Sequence, residues 1–121
     1  MKNLVVFLLF IISANCFSQD TIVASQAKDY MDKIVVLKGK VMSFRLASEG
    51  KSTNYINIDK AFPDQVFTIV MSNSYLEKQT YQINDWVGKT LYFKGKVSVY
   101  KNDPKQIPQI FNPESIVLKK E

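Results

Sequence analysis

The sequence predicts an all-β fold, a five-stranded Greek-key barrel with a short helix between its third and fourth strands and a second short helix ahead of the first. Three observations lead there. The phrase LKGKV at residues 37–41 returns as FKGKV at residues 93–97, each time inside a longer run of alternating side chains. Two more alternating segments lie between the copies. A helical pattern separates the third alternating segment from the fourth.

The first copy runs from Lys33 to Phe44 and the second from Lys89 to Tyr100; Lys33, Lys38, Gly39, Lys40 and Val41 recur as Lys89, Lys94, Gly95, Lys96 and Val97. Val35, Leu37, Gly39 and Val41 fall on one face of the first copy, and Leu91, Phe93, Gly95 and Val97 on one face of the second. This is the period of half-buried strands. A glycine on the apolar face packs nothing, so it needs a geometric reason: a bend or bulge in a strand that coils around a small barrel.

Asn54–Asp59 and Val66–Met71 alternate as second and third strands, with residues 61–65 as the turn between them. Ser72 or Asn73 can cap a short helix through about Ile83, with Leu76, Thr80 and Ile83 near one face. Residues 107–118 read as a last strand, which Pro108 and Pro113 confine to an edge or break into two pieces. Ala24, Ala27 and Met31 at helical spacing predict the N-terminal helix over 22–31. Strand, strand, strand, helix, strand, strand is the order of the oligonucleotide/oligosaccharide-binding (OB) fold.

The blocks YMDKIVVLKGKVMSF, YINIDKAFPDQVFTIVM, WVGKTLYFKGKVSVY and PQIFNPESIVL resemble the successive blocks of small exported bacterial OB-fold domains, some of which are attached to nuclease domains. The resemblance spans about residues 24–118 and implies the fold more than a chemistry. Asp32 stands where those domains carry glycine before the lysine, and Lys105-Gln-Ile-Pro lengthens the final loop.

Residues 1–18 read as a signal peptide and residues 19–121 as a single domain. Lys2 supplies a positive start, Leu4 to Ile12 run without a polar residue, and small residues follow. That run is too short for a permanent membrane span. Cleavage after Ser18 leaves Gln19 first and an exported product, periplasmic or secreted. Cys16 offers a rival reading as a lipidated cysteine, although Asn15 stands where a lipoprotein signal carries a small residue. Cleavage leaves about 100 residues, enough for one modest core, and lowers the net charge of +5 by the single charge of Lys2.

The chain has no histidine, and its one cysteine lies in the leader. Neither a serine–histidine–acid triad, a thiol nucleophile nor a zinc site of the usual ligands can be assembled. Asp59 and Asp64 read as solvated turn acids. No enzyme activity, cofactor or metal is expected.

Binding is the expected function. OB folds take ligands across strands two and three and between the loops joining strands one to two and four to five. If Ile56, Ile58, Phe67, Ile69 and Met71 point inward, then Tyr55, Asn57, Val66, Thr68 and Val70 point outward. Lys40 and Met42 continue that surface from strand one. Arg45 and Lys51 lie in the first loop, Lys101 and Lys105 in the last, with Tyr100 at its edge. A basic rim with tyrosines for stacking suits single-stranded nucleic acid, bound weakly, as the nominal ligand; oligosaccharide is the fold's other customary ligand. The blander reading is that Lys38, Lys40, Lys94 and Lys96 only solvate strand surfaces, that the tyrosines are cross-strand packing, and that Trp86 plugs the core or a helix end. Outward Val66, Thr68 and Val70 equally suit an envelope protein-interaction module that binds no nucleic acid. A monomer without a membrane span is expected.

Overall fold

The computed structural model describes residues 20–80 and 82–118; the leader read in residues 1–18 lies outside them. Seven strands follow one another: β1 (Thr21–Ile22), β2 (Ile34–Arg45), β3 (Thr53–Ile58), β4 (Phe67–Ser72), β5 (Thr90–Val99), β6 (Pro108–Phe111) and β7 (Ser115–Leu118). Five of them close a ring. β2 pairs with β3, β3 with β4, β4 with β6 in parallel, β6 with β5, and β5 returns to β2. This is the OB-fold barrel, with β1 and β7 added outside the ring against β2 and β5.

Alternation fills the barrel as expected. Val35, Leu37, Val41, Ile56, Ile58, Phe67, Ile69, Met71, Leu91, Phe93, Val97 and Ile110 are each 1% exposed or less. The two glycines sit where a strand changes partner. β2 pairs with β5 through Lys40 and with β3 from Val41, and Gly39 lies at that corner. β5 pairs with β7 through Lys94 and with β6 from Val97, and Gly95 lies at that one. A side chain on Gly39 would run into Ile58, and one on Gly95 into Ile110. The repeated phrase therefore marks two equivalent corners of one small barrel.

Both ends of the barrel differ in detail from expectation. The N-terminal helix is a 3₁₀ helix over Ala24–Tyr30, with Ala24 and Ala27 buried. Ile22, expected to open that helix, instead pairs with Leu37 in a short parallel strand. Extended backbone at Val23 separates the two, and the Gln26 side chain accepts the Val23 N–H at 3.0 Å. The helix expected over residues 73–83 is shorter, α1 (Asn73–Glu77), followed by a 3₁₀ turn at Ile83–Trp86. Ser72 caps α1 by accepting the Tyr75 N–H at 3.2 Å. After Leu76 the next positions on its face are Gln79 and Thr80, and polar side chains give the helix nothing further to bury. Trp86 does plug the core, 7% exposed and edge-on to Phe93 with ring centroids 6.3 Å apart.

The last strand is two pieces, as the prolines require. Asn112, at φ 45°, turns the chain between β6 and β7, and its side-chain oxygen accepts the Ser72 N–H at 3.0 Å. Asp32 holds φ 64°, the left-handed region that glycine enters without steric cost and aspartate tolerates better than most residues.

Candidate ligand groove

Outward-facing residues of β2, β3, β4 and β6 line up in two rows across the barrel wall. Register places Arg45 beside Tyr55, Tyr55 beside Val70 and Val70 beside Phe111. The neighbouring row runs Ser43, Asn57, Thr68 and Gln109. Two residues separate the rows along each strand, about 7 Å at the usual rise. One row is therefore aromatic and apolar with a guanidinium at its end; the other carries hydroxyl and amide groups.

Loops raise walls on both sides and make a groove of about 990 Å³. The β3–β4 loop contributes Phe62, Pro63 and Gln65, and the β5–β6 loop contributes Tyr100, Asn102, Asp103, Lys105 and Ile107. Lys105 ties the two walls together, its Nζ donating to the Pro63 carbonyl at 3.0 Å. The Asp103 carboxylate is taken up within its own turn, accepting the Lys105 and Ile107 N–H groups at 2.9 Å each. Asn57 donates to the Ser43 hydroxyl at 2.9 Å, which fixes two members of the polar row. On the groove's lip, Gln65 keeps a buried Oε1 with no hydrogen-bond partner.

Six of the residues expected at the site meet here: Arg45, Tyr55, Asn57, Thr68, Tyr100 and Lys105. Asn57 and Thr68 are only 4% and 7% exposed, so they form the floor rather than the surface. Tyr55 is not an open stacking platform, because the Arg45 guanidinium lies 5.1 Å from its ring centroid. Lys51 lines an adjoining depression of about 590 Å³ in the β2–β3 loop, together with Arg45 and Tyr55. Buried Asn54 holds that loop: it accepts the Ala47 N–H at 2.8 Å and donates to the Met71 carbonyl and the Asn73 side chain.

Lys40, Met42 and Lys101 do not line the groove. Lys40 belongs to the part of β2 that pairs with β5, opposite Thr90; for Met42 the cause is a bulge. Val41 pairs with Ile58 and Ser43 with Asn57, so Met42 is the extra residue and the alternation shifts by one. Ser43 and Arg45, rather than Lys40 and Met42, carry the face across β2. Sequence reasoning also missed Phe62 and Phe111, which are 70% and 55% exposed beside the groove. Phe111 was legible in principle, two residues from Gln109 on the side away from buried Ile110.

No protein-family model and no curated protein matches the chain. Solved structures do. An OBody bound to hen egg-white lysozyme is similar at TM-score 0.60 and 12% identity, over 86% of this chain and 97% of the OBody. Yeast Stn1 and Ten1 give TM-score 0.59 at 14% identity, over 87% of this chain and 65% of that one. Entamoeba histolytica asparaginyl-tRNA synthetase, in complex with asparaginyl-adenylate, gives TM-score 0.59 at 13% identity over 86% of this chain. The chain spans only 24% of that synthetase and 21% of a Leishmania major aspartyl-tRNA synthetase structure. At such identities the likeness is one of fold. Among the described residues no helix is long and apolar enough to cross a membrane.

Proposed function

We propose that the protein is an exported, non-enzymatic binding module whose groove takes single-stranded nucleic acid. The pairing of an aromatic row with a polar row carries this reading. Bases stacked against Phe111, Tyr100 and Phe62 bring their edges toward the hydroxyl and amide groups of Ser43, Asn57, Thr68 and Gln109. The unpartnered Gln65 Oε1 is an acceptor for a base amino group, and a ligand donor there would offset the cost of leaving it buried. Arg45, Lys51, Lys101 and Lys105 stand at the groove's ends and loops, where a phosphate backbone would run.

The cations are few, so binding should be weak, tolerant of sequence and sensitive to salt. With about three phosphate contacts, affinity should fall by about tenfold or more between about 50 mM and 200 mM salt. Fluorescence anisotropy of a labelled single-stranded oligonucleotide reads this directly. No change at low salt with micromolar protein would favour the second reading, a protein-interaction module in the cell envelope. Its support is the apolar wall of Val70, Phe62 and Phe111, together with a similar OBody fold that binds lysozyme.

Export rests on the sequence of residues 1–18. Intact mass of protein recovered outside the cytoplasm should correspond to a chain beginning at or near Gln19. Acyl chains on Cys16 would replace that expectation with a lipoprotein.

A further inference from the structure

The lysines of the repeated phrase lie away from the groove. Register sets Ile34, Val36, Lys38 and Lys40 of β2 opposite Lys96, Lys94, Tyr92 and Thr90 of β5. Partners in such a pair share a face, and this one is the outer face, since the intervening residues fill the core. β7 adds Ser115 beside Lys94 and Val117 beside Tyr92, and β1 adds Thr21 beside Val36. These outward positions hold four lysines and no carboxylate. Asp20, Asp32, Asp59 and Glu114 stand in the surrounding loops, and the Asp59 carboxylate already accepts the Lys40 N–H at 3.2 Å.

Solvation alone would be served by lysines among polar residues. Here they alternate with apolar ones: Ile34 and Val117 are 48% and 58% exposed, and Val36 and Tyr92 are half-buried. The Lys38 and Lys94 side chains are half-buried as well, as expected of methylene stems lying along apolar neighbours with the ammonium held outward. β1 and β7 form the two edges of this sheet, and in the sequence β7 leads into two further lysines, Lys119 and Lys120.

We infer that the outer face of β1, β2, β5 and β7 docks the domain on an anionic bilayer surface. Lys38, Lys94 and Lys96 meet headgroup phosphates, and Ile34, Val36, Tyr92 and Val117 meet the layer beneath them. Juxtaposed lysines and partly exposed apolar side chains are the recognition chemistry of such a surface. The groove uses β2 only beyond the bulge, at Ser43 and Arg45, whereas the docking face uses it only from Ile34 to Lys40; the groove stays free, so this docking is independent of what the groove binds.

The test is co-sedimentation with vesicles of phosphatidylcholine and phosphatidylglycerol, against phosphatidylcholine alone. The chain begun at Gln19 is the one to use. Every described strand and core residue lies within residues 20–118, so the barrel is kept, and the leader's apolar run is absent. The parent should partition onto the anionic vesicles and leave them as salt rises. Lys38→Gln, Lys94→Gln and Lys96→Gln combined should weaken that partition by about tenfold or more, with an unchanged urea midpoint. Ile34→Ser with Val117→Ser should weaken it at constant charge. A parent that stays in the supernatant at low salt overturns the inference, as does a triple-lysine variant that partitions like the parent. Loss of oligonucleotide anisotropy without loss of vesicle binding also overturns it, by assigning the lysines to nucleic acid.

Discussion

Gly39→Val and Gly95→Val should each lower the urea midpoint of the domain severely, while Lys38→Ala and Lys94→Ala should shift stability by no more than about 0.5 kcal/mol. A Cβ built on Gly39 meets the Ile58 side chain, and one built on Gly95 meets that of Ile110. Both isoleucines are 0% exposed, so neither can swing outward to make room. The nearest atom in each case is Cγ2, fixed to a β-branched carbon, and the χ1 stiffness of isoleucine leaves little rotameric escape. Overpacking a filled core typically costs about 1–3 kcal/mol. Valine brings two methyl groups beyond the Cβ that already collides, which puts these sites at the upper end of that range. A domain of this size has about 5–10 kcal/mol in total. Alanine at either position should fall between parent and valine. If the valine variants unfold at the parent's midpoint, the glycines do not set the corners.

The same two positions show why so much of the fold was legible. A glycine between outward lysines in an alternating strand has few explanations, and finding it twice points to two equivalent corners of one barrel. Pro108 and Pro113 were equally informative, because a missing N–H limits where a strand can pair; Pro113 lies within the break between β6 and β7. The misses have physical causes too. Ile22 stands just ahead of the helical spacing of Ala24, Ala27 and Met31, and its pairing with Leu37 depends on an edge that exists once β2 is in place. The bulge at Met42 leaves no mark in composition, yet it shifts every later residue of β2 by one face. That single insertion removed Met42 from the groove and brought in Ser43, while Lys40 lies before it and pairs with Thr90 of β5. The arginine over Tyr55 was similarly invisible, since it depends on side-chain geometry between strands rather than on spacing along one.

Removing the open rings beside the groove should weaken oligonucleotide binding far more than removing its peripheral cations. Tyr100, Phe62 and Phe111 are 58%, 70% and 55% exposed, so each truncation to alanine takes away a stacking surface and little core packing. Stacking of a base on an aromatic side chain contributes about 1–3 kcal/mol, which corresponds to about 5- to 150-fold in affinity. Lys101→Ala should instead reduce the salt slope by about one phosphate contact and alter affinity little at physiological salt. Tyr55→Ala is a poorer probe, because it also removes the cation–π contact with Arg45 and opens the half-buried centre of the aromatic row. Urea midpoints close to the parent's would show that Phe62→Ala, Tyr100→Ala and Phe111→Ala act on the ligand and not on the fold. Anisotropy titrations at two salt concentrations then separate the contributions. Should the three ring variants bind like the parent while Arg45→Ala or Lys101→Ala abolishes binding, the contact is electrostatic only, and the aromatic row is a surface for a protein partner rather than a track for bases.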